Sequence, residues 1–217
     1  MLKLHDYWRS SAAYRVRIAL TLKGLDYKHE GHDLRTNAHH VSNYKMLNPQ
    51  GLVPALDIGG HVLTQSLAII EWLEETCPEP PLLPRAAADR AAVRAMAGLI
   101  ACDIHPLNNL RVLRELKSEL GANDKQTKMW ATGWIAEGFT ALETLIGRHG
   151  HGYCFGDTPT LADCFLIPQI FSAQRFNVSL DPYPNIRAVN ERCDEHPAFV
   201  RAHPRHQPDA DTVELVG

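Results

Sequence analysis

The chain has 217 residues, 45% of them apolar and 22% charged, with a formal net charge of −3. That supplies a core for one large or two modest domains and excludes a disordered chain. Charge is evenly spread, with 8 Lys+Arg against 9 Asp+Glu in residues 1–84 and 14 against 16 in the rest, so no basic face points to nucleic acid.

The N-terminus, MLKLHDYWRSS, carries Lys3, Asp6 and Arg9 and has no apolar h-region. It does not read as a signal peptide, so a cytoplasmic protein is expected. No apolar run approaches the roughly 18–20 residues of a membrane span. Residues 2–5 predict a short strand. Ser10 and Ser11 precede a helical run, RVRIALTLKG, whose Val16, Ala19, Leu20 and Lys23 lie on adjoining turns of one face. Gly24 sits where a helix C-terminal stop belongs. Residues 27–32 predict a second strand, completing a βαβ pattern.

A polar stretch, Arg35 to Asn43, leads into Leu47-Asn48-Pro49-Gln50-Gly51-Leu52-Val53-Pro54, where two prolines and a glycine forbid regular structure. Ala55–Ile58 and His61–Thr64 flank a Gly59-Gly60 hairpin turn. Ser66 opens the next helix, SLAIIEWLEE, with Leu67, Ile70 and Leu73 spaced to pack inward. Residues 78–88 hold four prolines and form the expected linker. Beyond it, residues 89–118, 125–148, 160–176 and 185–195 have helical periodicity, and little reads as strand. The expected organisation is an α/β domain over 1–82 and an all-α domain over 89–217. The tail after Pro204 is polar and expected to be loose.

Five cysteines at 77, 102, 154, 164 and 193 are odd in number, irregular in spacing and lack a CxxC pair, which points to reduced thiols. The twelve histidines form no HExxH, and His39-His40 lacks metal-ligand spacing, so no metal is expected.

Three places bear chemistry. Ser10-Ser11, at a strand-to-helix junction, reads either as an N-cap or as an anion site at the positive end of a helix, where a thiolate would have a lowered pKa. Val53-Pro54 reads either as a proline entering an edge strand or as a cis turn that offers the Val53 backbone to an extended peptide. Sequence leaves the isomer open. Gln65-Ser66 reads as a second cap or a carboxylate site. Together these suit a short anionic peptide. In the helical part, Asp103-Ile104-His105-Pro106-Leu107-Asn108-Asn109 is expected to kink a long helix, and Thr160-Leu161-Ala162-Asp163 has the form of a capping box.

Taken together, these residues resemble a glutathione transferase over essentially the whole chain. Arg9-Ser10-Ser11-Ala12-Ala13-Tyr14-Arg15-Val16-Arg17-Ile18-Ala19-Leu20 resembles the zeta-class signature, as do Gln65-Ser66-Leu67-Ala68-Ile69-Ile70-Glu71 and Asp181-Pro182-Tyr183-Pro184. The resemblance implies a thioredoxin-like glutathione-binding domain followed by a helical domain that contributes the substrate site. It implies glutathione as cosubstrate and a homodimer. It also implies the chemistry of the maleylacetoacetate and maleylpyruvate isomerases. A thiolate would add to the cis double bond of a diketo dicarboxylate, and rotation and expulsion would give the trans isomer.

Carried over by residue, Ser10 would hydrogen-bond the thiolate and Ser11 would supply neighbouring donors. Val53 would pair with the cysteinyl backbone, and Gln65 and Ser66 would hold the γ-glutamyl end. His39 falls near the glycyl end. His105, Asn109 and Arg111 match positions that reach glutathione from the helical domain. Arg9 and Arg175 are the candidates for the substrate's carboxylates. One departure is Ala12, where the family often has cysteine. Dehalogenating relatives that resolve a mixed disulfide there need that thiol, whereas isomerisation does not. A broad transferase acting on haloacids or other electrophiles is the alternative activity. A non-enzymatic binding module is the third reading, and the retention of Ser10, Gln65 and Ser66 speaks against it.

Overall fold

In the computed structural model, which describes residues 1–211, Leu2–Asp6 forms β1, Ser11–Leu22 forms α1 and Tyr27–Gly31 forms β2. β1 and β2 pair in parallel, with Leu4 opposite His29. Ala55–Asp57 (β3) and Val62–Thr64 (β4) form the glycine-turned hairpin and add antiparallel, giving the order β2-β1-β3-β4. α1 ends as expected: Gly24 has φ +65°, a conformation that costs glycine little. The polar stretch is not without structure. It holds two 3-10 turns, Leu34–Thr36 and Ala38–His40, and a short helix α2, Ser42–Leu47. α3 is Ser66–Thr76, with Ile69, Ile70 and Leu73 buried and Leu67 half-buried.

Packing divides the chain into two compact units. One comprises Met1–Leu82 and the described residues from Asp194 onward, the other Leu83–Cys193. In the first unit the short helix Pro197–Ala202 packs on α1. Arg17 explains that attachment. Its fully buried guanidinium grips Asp6 through Nη1 at 2.9 and 2.7 Å and donates from Nε to the Ala202 carbonyl and from Nη2 to the Trp8 carbonyl. A buried charge is tolerable only when paired and hydrogen-bonded in this way. Lys23, on the face that the helical pattern turned inward, is likewise buried. It donates to Glu74 Oε2 at 2.9 Å and to the Cys77 and Pro80 carbonyls, which ties the end of α1 to the start of the proline-rich segment.

The second unit is helical. α4 is Ala87–Gly98, and it continues as a π-helical stretch, Leu99–Ile104, before a turn. α5 is Leu110–Ser118, α6 Asp124–His149, α7 Leu161–Arg175 and α8 Pro184–Glu195. α9, Pro197–Ala202, and a 3-10 turn, Pro204–His206, complete the described elements. The expected helix over 89–118 is therefore two helices. Pro106 lies in the turn between them, and the chain widens ahead of it, with His105 N–H reaching the Ile100 carbonyl at 2.9 Å. Gly138 lets α6 approach this stretch, since a Cβ there would lie 2.2 Å from Ile104 Cδ1. The tail expected to be loose is fastened instead as far as residue 211, through hydrogen bonds from Gln207 to the Arg201 and His203 carbonyls. The remainder of it, 212–217, lies outside the described residues. Among the described residues no helix is long and apolar enough to cross a membrane.

Candidate active site

β1 runs into a tight turn, Tyr7–Ser10, that delivers Ser10 to the start of α1. Asp6 Oδ1 accepts Tyr7 N–H at 2.5 Å, and Ser10 N–H donates to the Tyr7 carbonyl at 2.8 Å. Ser10 is the N-cap, with φ −72° and ψ 115°, and its Oγ accepts Ala13 N–H at 3.2 Å. The cap and the anion-site readings are compatible. A hydroxyl that accepts from the backbone still has its own proton to donate. No acidic side chain lies in the first turn of α1, so the helix's partial positive charge is not answered from within the helix. Ser11 is buried behind it. Arg9 is half-buried, its guanidinium carbon 5.9 Å from the centre of the Trp8 ring.

The Val53-Pro54 peptide is cis. The turn leading into it is braced from below: Tyr44 Oη and Asn48 Nδ2 each donate to the Leu52 carbonyl at 2.6 Å. Burial raises the Tyr44 pKa, which keeps its phenol a donor. Gly51, at φ +60°, lies against the His39-His40 turn. A Cβ there would sit 3.0 Å from the His39 carbonyl. His39 is buried and thus packs beside this turn. Val53 shares an apolar cluster with Tyr7, Trp8 and Tyr44, so the serine turn and the Val-Pro turn are packed together.

At the third place, Gln65 is exposed and has a strained φ of +68°, while its Nε2 donates to Gln50 Oε1 at 2.6 Å. Outlying backbone of this kind in a non-glycine residue tends to mark ligand clamps. Ser66, the first residue of α3, is buried, and its Oγ accepts from Arg15 Nη1 at 3.2 Å. Arg15 is 3% exposed. It brings a cation to the start of a second helix whose first turn also lacks acidic residues. Sequence reasoning gave Arg15 no role. Its signal was an arginine on the inward part of an apolar helix, which has to have a polar purpose there. Tyr44 and Asn48 lie only eight and four residues from Leu52, but no sequence pattern marks either as a donor to its carbonyl.

In the helical unit, Asn109 N-caps α5. Its side chain accepts Arg111 N–H at 3.1 Å, and its Nδ2 lies 3.5 Å from His105 Nε2. His105, Asn109 and Arg111 thus share one turn, with Arg111 exposed. Arg175 is exposed at the last position of α7. None of the five cysteines lies in the Ser10 turn.

Residues 4–81 match the family model for the glutathione S-transferase N-terminal domain, and residues 127–192 match that for its C-terminal domain. The chain is 51% identical to a maleylpyruvate isomerase of Ralstonia sp., over 96% of this chain and 100% of that one. It is 48% identical to a maleylacetoacetate isomerase of Pseudomonas aeruginosa, over 96% and 98%. Among solved structures, a holo maleylpyruvate isomerase described as a bacterial zeta-class glutathione S-transferase superposes with a TM-score of 0.94 at 51% identity, over 96% and 100% of the chains. A maleylacetoacetate isomerase of Anaeromyxobacter dehalogenans, with dicarboxyethyl glutathione and citrate bound in its active site, superposes with a TM-score of 0.87 at 42% identity, over 97% and 98%.

Proposed function

The chain belongs to the glutathione S-transferase family, and we propose that within it the protein is a glutathione-dependent cis-trans isomerase of maleylpyruvate or maleylacetoacetate. The observation that carries the reading is the place of Ser10: an N-capping hydroxyl whose oxygen accepts Ala13 N–H, at a helix start free of acids. The rest of the first unit fits glutathione. A cation lies buried beneath Ser66, and a cis turn presents Val53.

When bound, glutathione supplies a thiolate that adds reversibly to the cis double bond, so that rotation and departure of the same thiolate yield the trans isomer. Ser10 donates its O–H to the sulfur and, with the amides at the start of α1 around Ser11, favours the anion. Val53 pairs its backbone with the cysteinyl residue. Gln65 and Ser66, with Arg15 behind, hold the γ-glutamyl carboxylate and amine, and His39 lies toward the glycyl end. His105, Asn109 and Arg111 are assigned to glutathione on the family resemblance, and Arg9, beside the serines, and Arg175 are assigned to the substrate's carboxylates because a dianion calls for arginines. The same resemblance supports a homodimer, and the odd number and irregular spacing of the cysteines fit a cytoplasmic location. Ala12 removes the thiol that a disulfide-resolving dehalogenation would need.

The two substrates differ in the length of the tail beyond the reacting bond. Purified protein assayed on each with glutathione present yields two kcat/KM values, and their ratio names the substrate. Inactivity on both would remove the proposal.

A further inference from the structure

The turn that carries Ser10 is held by a residue 201 positions away in sequence. Trp8 N–H donates to Asp209 Oδ2 at 3.0 Å. The other side of the same residue is fixed as well, because the Trp8 carbonyl accepts from the buried Arg17 at 2.9 Å. Two residues later comes Ser10, whose hydroxyl direction follows from how this turn is set.

Asp209 is itself well located. Its Oδ1 lies 3.4 Å from His29 Nε2, and a Cβ on Gly31 would come within 3.3 Å of its Oδ2, so glycine at the end of β2 leaves room for the carboxylate. Its neighbours hold the segment down. Ala210 packs on the cluster containing Trp8 and Val53, and Asp211 pairs with Arg35. The segment therefore holds the serine turn directly and packs against the cluster that joins that turn to Val53. A charged acceptor on a backbone N–H is among the stronger protein hydrogen bonds.

We propose that Asp209 is a positioning residue for the thiolate site: its carboxylate holds the Trp8 peptide and so sets the Ser10 hydroxyl. The proposal rests on the reading of Ser10 as the thiolate's donor.

The test compares Asp209→Ala with Asp209→Asn, which keeps an oxygen acceptor for Trp8 N–H while removing the charge. The thiol titration of bound glutathione is followed by its ultraviolet thiolate absorbance, together with kcat and KM for glutathione. Alanine should raise the titration midpoint by about one pH unit and lower kcat about tenfold or more, with KM changed by less than about threefold, as expected for a displaced catalytic group. Asparagine should recover most of both losses. Should the alanine variant not fold, Asp209→Ser withdraws the acceptor from reach while keeping a polar side chain and is read in the same way. A titration midpoint and kcat unchanged in the alanine or serine variant, with only thermal stability reduced, would overturn the positioning role alone. Asparagine behaving like alanine would overturn the hydrogen bond as its basis. A wild-type protein that binds no glutathione would overturn both this role and the functional reading beneath it.

Discussion

Ser10 has two duties at once, one to the backbone and one to the sulfur. As a cap it is worth about 1 kcal/mol to α1. As a donor to a developing or resident anion it is worth more, because one preorganised donor contributes roughly 100-fold or more in rate. Ser10→Ala should therefore lower kcat by about 100-fold, with a much smaller loss of glutathione affinity. Steady-state kinetics beside equilibrium binding separates the two, and an unchanged kcat would strip Ser10 of its role. Ser10, Val53 and Ser66 were legible because serine at a strand-to-helix junction and proline after an extended residue are local signals. Arg15 and Asp209 were not, since their meaning depends on partners 51 and 201 residues away. The Val53-Pro54 isomer was likewise open until the structure showed it cis.

Among the elements, long helices with a buried face were read to within a few residues. The failures have physical causes. α2 has six residues, of which only Tyr44 is buried, so it lacks the apolar repeat that reveals a helix. The break near Pro106 was visible, but the widened turn ahead of it was not. The capping box at the start of α7 was legible. Asp163 accepts Thr160 N–H at 2.7 Å and Thr160 Oγ1 at 2.8 Å, and also Cys154 N–H at 2.8 Å. Sequence foresaw the cap but not Cys154, which makes Asp163 a junction between α7 and the loop before it. Burial raises the Asp163 pKa, opposed by these hydrogen bonds. Asp163→Ala leaves buried donors without acceptors and should cost about 2–4 kcal/mol. Denaturant unfolding measures this, and a loss below about 0.5 kcal/mol, the usual range for a surface change, would contradict it.

For the molecule as a whole, the return of α9 to α1 was beyond sequence reasoning, because the Arg17 contact with Ala202 spans 185 residues. That return also builds in a response to acid. His203 Nδ1 accepts Arg205 N–H at 3.2 Å, which requires the neutral ring, and burial lowers its pKa from 6.5 to about 4. His5 and His32 are lowered too, chiefly by burial. The unfolded chain takes up these protons first as pH falls, so the stability is fully present above pH 6.5 and is lost progressively toward pH 4. The Tm should decline over that window, and decline less in His203→Asn, which keeps a capping acceptor without titrating. Equal slopes would remove His203 from the explanation. The central claim, that glutathione enters the reaction and leaves it unchanged, is tested most directly by following maleylpyruvate and maleylacetoacetate with and without glutathione while total glutathione is measured in the same tube. The account predicts fast cis-to-trans conversion that requires glutathione and does not consume it. No isomerisation, with glutathione consumed by haloacids instead, would contradict it.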